Sequence, residues 1–312
     1  LAALPNKSAI EKPDCLRYIR LMLMKVASES VNGFWLAALA LLLALCLHAA
    51  PLRADPLEHI RQVNMDYTIY LGGLHVLDSK AHFTRNGQSY KIHMTAGTQG
   101  FFNMVAPWDA DLVSGGKLEK ESIQPKLCKV VTRWQDDAKE VVLDFKDDGR
   151  VEARFNPPEG DKHEKVPDDL MKGVLDPLSG VVQVMASFAY GKGCSQLVPL
   201  FDGHRRFDLE LRDAGTAQLK GDGYSIFEGE AQKCEALLTM RAGSRKDREG
   251  SRFWEDAKGK KTRPPVYIYL AKVRPELPQI PVRAETQTPF GSIIVHLKDV
   301  TFNADQSAAA NP

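Results

Sequence analysis

Neither sign of charge predominates: 41 Lys and Arg stand against 40 Asp and Glu in 312 residues, so the balance carries no footprint of a nucleic-acid binder. Residues 1–54 hold six of the basic and three of the acidic side chains, which leaves 35 against 37 in the remainder, and steering by net charge is weak there too. No C-x-x-C pair or H-E-x-x-H is present, and His59, His75, His82, His93, His163, His204 and His296 are scattered without ligand spacing. A G-x-S-x-G elbow and a Gly-rich phosphate loop are missing as well. These absences remove the metal, thiol-redox, elbow-serine and nucleotide-binding classes that short motifs reveal, and no cofactor is expected. No repeat of 20–50 residues occurs, which excludes a solenoid.

Long apolar runs are also scarce. Phe34–Leu47 is the longest, about 14 residues against the roughly 20 that span a bilayer. Lys25 precedes it and small residues up to Ala54 follow, the order of a secretory signal. Residues 1–54 are therefore read as an upstream extension plus signal peptide, cut after Ala54. Residues 55–312 are read as one exported domain with a frayed C-terminal tail, located in the periplasm and without a stable membrane span. An uncleaved inner-membrane anchor is the alternative, since Leu52 stands where a small residue is preferred. Bulky Leu45 before Cys46 argues against a lipoprotein signal.

The remainder reads as strands and tight turns. Tyr67, Ile69 and Leu71 alternate with polar neighbours before Gly72-Gly73, which predicts a two-residue hairpin or a bulge. Asn86-Gly87 predicts a type I′ hairpin, and Asp148-Gly149 joins Val141–Phe145 to Val151–Phe155 by the same logic. Gly97–Gly116 looks loose, with Phe101, Phe102 and Trp108 expected to cover one end of the core. Further strands are predicted at Lys126–Trp134, Arg206–Leu211, Tyr224–Phe227, Ala231–Met240, Val266–Val273, Val282–Thr286 and Ser292–Val300, with Asp202-Gly203 in a turn. Asp176-Pro177 predicts an N-capped helix over about residues 177–190, its stripe being Leu178, Val181, Val182, Met185 and Ala189, and Gly191-Lys192-Gly193 ends it. One helix among about ten strands argues a single antiparallel sheet system.

Three cysteines follow the leader: Cys128, Cys194 and Cys234. In an oxidising compartment two of them pair. Spacing leaves open a bridge from Cys128 to either partner, but Cys128 shares a strand face with Val130 and Trp134, which suits a buried thiol. The expected disulfide is Cys194–Cys234, which would tie the helix end to a strand.

From Arg241 to Arg263 there are nine Lys and Arg and four Asp and Glu. Arg245, Lys246, Arg248, Arg252, Trp254, Lys260 and Lys261 are the candidate contacts to an anionic surface, the alternative being a solvated loop whose charge protects a strand edge.

Several segments resemble the family of bacterial envelope proteins catalogued as domain of unknown function 3108: Tyr67-x-Ile69-x-Leu71-Gly72-Gly73, Leu175-Asp176-Pro177-Leu178-Ser179, Gly193-Cys194, Phe201-Asp202-Gly203-x-Arg205-Arg206 and Gly229-x-Ala231-x-x-Cys234. The resemblance implies an exported, mainly β protein whose curved antiparallel sheet makes an open or spiral barrel around one α-helix. It brings no catalytic residues. The functional expectation is a non-enzymatic periplasmic cell-envelope protein that binds a lipid, another amphiphile or an envelope partner on its concave sheet. The alternative is an envelope hydrolase whose site is assembled from distant residues, such as His93 or His204 with an Asp.

Overall fold

The computed structural model describes residues 55–158, 160, 163–243 and 264–304. Thirteen strands form one antiparallel sheet: β1 Ile60–Leu71, β2 Leu74–Asn86, β3 Ser89–Thr98, β4 Trp108–Glu119, β5 Ser122–Trp134, β6 Asp137–Phe145, β7 Val151–Asn156, β8 Gln196–Phe201, β9 Arg206–Leu219, β10 Gly229–Ala242, β11 Val266–Ala271, β12 Ile280–Thr288 and β13 Gly291–Ala304. The order is β7-β6-β5-β4-β3-β2-β1-β13-β12-β11-β10-β9-β8. Every neighbour is also a neighbour in sequence except β1 and β13, whose long antiparallel ladder joins the two halves of the meander. The two edges, β7 and β8, are consecutive strands. The open, curved barrel is thus broken at one place, and the chain crossing that break is the one that carries the helix.

Two strands, β4 and β8, are absent from the sequence reading, and one predicted strand does not form. Gln196–Phe201, where no strand is expected, is β8, Gly100–Val105 is a short helix, α1, and Trp108–Glu119 after it, inside the stretch expected to be loose, is β4. Three adjacent small residues, Ser114, Gly115 and Gly116, hide the alternation there. Tyr224–Phe227 is the opposite error. It is a turn, because the Asp222 carboxylate accepts the backbone N–H groups of Tyr224 and Ser225 at 2.9 and 3.3 Å.

The hairpin turns also differ in type. Leu71 pairs with Leu74, and both Gly72 and Gly73 have positive φ, the type I′ pattern. At the second hairpin Asn86 pairs with Ser89, so the turn is Gly87-Gln88 and only Gly87 has positive φ. That matches type II′ and not the I′ turn expected from Asn86-Gly87.

Helix α2, Pro177–Ala189, lies where predicted, capped by Asp176, whose Oδ1 accepts the Leu178 and Ser179 N–H groups, both at 3.0 Å. Its buried face departs from the predicted stripe. Ser179, Gly180 and Ser187 are buried with Leu178, Val182, Val184, Ala186 and Phe188, while Val181 is exposed. Packing selects small residues as well as apolar ones: a Cβ on Gly180 would lie 2.5 Å from Leu200 Cδ2, so the Leu200 side chain of β8 sits against the bare Gly180 backbone.

The helix is held at both ends. At its start Asp176 is fully buried, and its Oδ2 accepts the hydroxyls of Ser114 on β4, at 2.9 Å, and Ser179. Tyr90 of β3 completes the group, 2.6 Å from Ser179 Oγ. Midway, Gln183 bonds the β4–β5 turn, accepting the Ile123 N–H at 3.1 Å and donating to the Glu121 carbonyl. Past its end Cys194 is disulfide-bonded to Cys234 of β10, with Cα atoms 5.5 Å apart. Among the described residues Cys128 is the free thiol; it is buried, and burial near Asp176 pushes its pKa far up. Before the helix, Leu175 bridges to Leu200 of β8, and Val174 and Phe201 pack with Cys128, Leu143 and Phe145 across the break in the sheet.

Two outcomes follow for equilibrium denaturation. Asp176→Ala removes an N-cap and orphans buried hydroxyls, a cost of about 3–5 kcal/mol read from urea midpoints. Replacing both Cys194 and Cys234 by Ala costs about 2–4 kcal/mol, and reductant brings the parent protein to the same midpoint.

Candidate functional site

The direction of each strand follows from the order, so the turns sort into two ends. At one end stand four hairpin ends side by side, from strands β6-β5-β4-β3-β2-β1-β13-β12. They are Gln135-Asp136, the Gln99–Pro107 connection with α1, Gly72-Gly73, and Pro289-Phe290. Thirteen large apolar side chains are exposed among the described residues, and six lie on or beside these four ends: Leu74, Phe101, Met104, Val105, Trp134 and Phe290. Met104 is 81% exposed and Phe290 67%. Helix α1 buries none of its residues. Phe101 therefore faces outward instead of covering the core. Two of the tips are stitched together, since Gly72 N–H donates to the Ser292 carbonyl at 2.9 Å and a Cβ on Gly72 would come within 3.2 Å of the Phe290 carbonyl. Of the connections that leave the strands at the opposite end, Gly87-Gln88, Lys120-Glu121 and Lys146–Arg150 are polar, and the β9–β10 connection carries the exposed Tyr224 and Ile226. Single exposed apolar residues are ordinary, whereas a row of them along one rim is a candidate contact surface.

Ala242 ends β10 and Val266 opens β11 at this same rim. The basic segment between them, with the candidate contacts Arg245, Lys246, Arg248, Arg252, Trp254, Lys260 and Lys261, lies outside the described residues.

Behind the rim, on the face turned away from α2, Tyr70, His75, Tyr224 and His296 form a ring cluster with centroids 5.1–5.8 Å apart. A surface cleft of about 380 Å³ opens beside it, lined by Tyr70, His75, Asp78, Lys80 and Lys298 among others. His75 Nε2 is 2.7 Å from Asp78 Oδ1, at the surface. His296 is buried, with Asp222 at 3.9 Å, Arg283 directly across the β12–β13 pairing and Glu285 nearby. Burial lowers its pKa, Asp222 and Glu285 oppose the fall, and Arg283 adds to it.

The sequence-derived histidine candidates are not brought together with one another. His93 is 3.1 Å from Asp111 on the half-exposed outer face of β3 and β4. His204 stacks between Phe155 and His163, at 4.3 and 4.2 Å. Asp202 supports its turn through backbone N–H groups, accepting those of His204 and Arg205 at 3.0 and 2.7 Å, as a turn residue does. A serine–lysine spacing, Ser114-Gly115-Gly116-Lys117, also occurs in the sequence and was not recognised there. It is no pair in space: Ser114 is fully buried against Asp176, and Lys117 is exposed on the other face of β4. Among the described residues no group of three or more His, Cys, Asp and Glu could hold a metal ion, and no helix is long and apolar enough to cross a membrane.

This is an open, single-sheet β-barrel-like protein with a helix plugging its interior. The chain belongs to the family described as Protein of unknown function (DUF3108), whose model matches residues 66–298. Two solved structures are similar. One is the beta-barrel-like protein of domain of unknown function DUF1849 from Brucella abortus, at 13% identity and TM-score 0.47, covering 80% of this chain and 99% of that one. The other is the hypothetical protein CT021 from Chlamydia trachomatis, at 9% identity and TM-score 0.27, covering 80% of this chain and 92% of that one. No curated protein matches.

Because the folded His296 titrates below the ordinary 6.5, its contribution to stability is complete above that pH and declines as pH falls through it. Chemical denaturation across pH 5–8 is expected to show this decline, and His296→Asn to flatten it.

Proposed function

We propose that this is a non-enzymatic protein of the cell envelope, exported to the periplasm by its leader, that seats its apolar rim on an anionic lipid surface. The single observation that carries the reading is the row of exposed Leu74, Phe101, Met104, Val105, Trp134 and Phe290 on adjacent hairpin ends. Aromatic and aliphatic tips of this kind enter the boundary between headgroups and acyl chains. The choice of an anionic surface rests on sequence: the Arg241–Arg263 segment, whose two flanks sit at this rim, carries nine basic and four acidic residues. Each basic residue near such a surface contributes about 1 kcal/mol at moderate salt. Apolar insertion then supplies retention, and charge supplies the choice of surface.

Co-sedimentation with lipid vesicles tests the reading. The protein is expected to partition onto vesicles containing phosphatidylglycerol, more weakly onto pure phosphatidylcholine, and to be released by salt. A triple variant, Phe101→Ser, Met104→Ser and Phe290→Ser, changes only exposed positions and is expected to lower partitioning at least tenfold with unchanged circular dichroism. Equal partitioning of parent and variant would refute the rim as the contact.

A further inference from the structure

The interior has a second chemistry, at the end opposite the rim. Between α2 and the sheet lies a cavity of about 30 Å³ whose lining is wholly apolar and includes Leu57, Phe83, Leu118, Val182, Met185 and Ala186. Following three of its walls one step further leads to polar groups that meet. Asp55 is two residues before Leu57, Arg85 is two after Phe83 on the same inward face of β2, and Tyr190 is one helical turn after Ala186. Arg85 donates from Nη2 to Asp55 Oδ2 at 2.6 Å and from Nε to the Gly87 carbonyl at 2.9 Å, and Tyr190 donates to Asp55 Oδ1 at 2.7 Å.

Arg85 is 92% buried, yet its Nη1 has no hydrogen-bond partner. A buried guanidinium nitrogen left unpaired is costly, and such nitrogens present a planar fork to carboxylate or phosphate oxygens. Burial would raise the Asp55 pKa, but hydrogen bonds from Arg85, Tyr190 and the Leu57 N–H bring it below the usual carboxylate range. Asp55 therefore holds a negative charge where Arg85 and Tyr190 converge, the place an anionic headgroup would occupy.

We infer that this is a binding site for a single-chain amphiphile with one anionic headgroup, a carboxylate or a phosphate ester. The headgroup takes the free Arg85 nitrogen and the Tyr190 hydroxyl, displacing the Asp55 carboxylate. The alkyl chain enters the apolar cavity between α2 and the sheet. The cavity is far smaller than the roughly 300 Å³ at which ligand pockets begin, so entry requires α2 to part locally from the sheet as the unbranched Met185 side chain swings aside. Asp55 then acts as a built-in competitor, occupying the headgroup position when no amphiphile is present. The site shares no residue with the rim.

Isothermal titration below the micellar concentration tests this, with dodecanoate, dodecyl phosphate and uncharged dodecanol as probes. Saturable one-to-one binding of one or both anionic probes is expected, and the stronger of the two identifies the headgroup. Arg85→Gln should weaken anionic binding at least tenfold and leave dodecanol within twofold. Asp55→Asn, by removing the competitor, should tighten anionic binding severalfold, a gain that damage to the fold cannot mimic. Ala186→Val, which fills the cavity, should abolish binding of all three probes. The serine triple variant of the rim should bind as the parent does, which keeps this result separate from vesicle docking. Absence of saturable anionic binding in both the parent and Asp55→Asn would overturn the inference, as would an affinity unchanged by Arg85→Gln.

Discussion

The buried Asp176 carboxylate is the point on which the architecture turns. One of its oxygens closes the first turn of α2, and the other accepts hydroxyls from Ser114 on β4 and Ser179 on the helix. Without water to solvate it, a carboxylate with no exposed surface is tolerable only when such bonds surround it. The helix start is therefore located against β3 and β4 by electrostatics, where apolar packing alone would permit sliding. The disulfide locates the other end against β10. Those two anchors lie on opposite halves of the meander, so the helix spans the interior of a sheet that has no hydrogen-bonded closure.

That arrangement explains how an open barrel avoids two bare edges. β7 and β8 are not paired with each other, but Leu175 bridges to β8, and Val174, Phe201, Cys128, Leu143 and Phe145 make an apolar seam between the sides. An unprotected edge strand is a template for aggregation, and a crossing segment covers it. The same plug covers the concave face, leaving beneath it a cavity of about 30 Å³. Exposed apolar side chains stand instead at the hairpin tips. The two ends then differ in character: one presents apolar tips, the other ends in polar turns and the buried Asp55, Arg85 and Tyr190 group.

Much of this was legible in the chain because it depends on short-range rules. Asp176-Pro177 is a local capping signal and Gly72-Gly73 a local turn signal, whereas the Cys194–Cys234 pairing was expected but left open to Cys128 by spacing, and the structure fixes it. The failures were also physical. β4 was obscured because three adjacent small residues carry no hydrophobic period: Ser114 meets Asp176 at the helix start, while a Cβ on Gly116 would lie 2.1 Å from the Gln124 carbonyl of β5. Leu238 and Met240 continue the stripe of Cys234 and Ala236, yet they are exposed, since burial depends on what lies opposite and not on alternation. Arg85, within the run read as the strand before Asn86-Gly87, gave no sign of being an interior residue.

Alternation, glycine pairs and a capping carboxylate, each acting within a few positions, by themselves determined that this chain makes antiparallel strands with a capped helix at Pro177–Ala189. Which strands meet around the curve, which face each hairpin end shows, and which polar groups converge under the helix were decided by the tertiary structure. Those relations join residues far apart in the chain, such as Tyr90 with Ser179 or Asp55 with Tyr190, and no periodicity in a linear sequence records a distance across a folded interior.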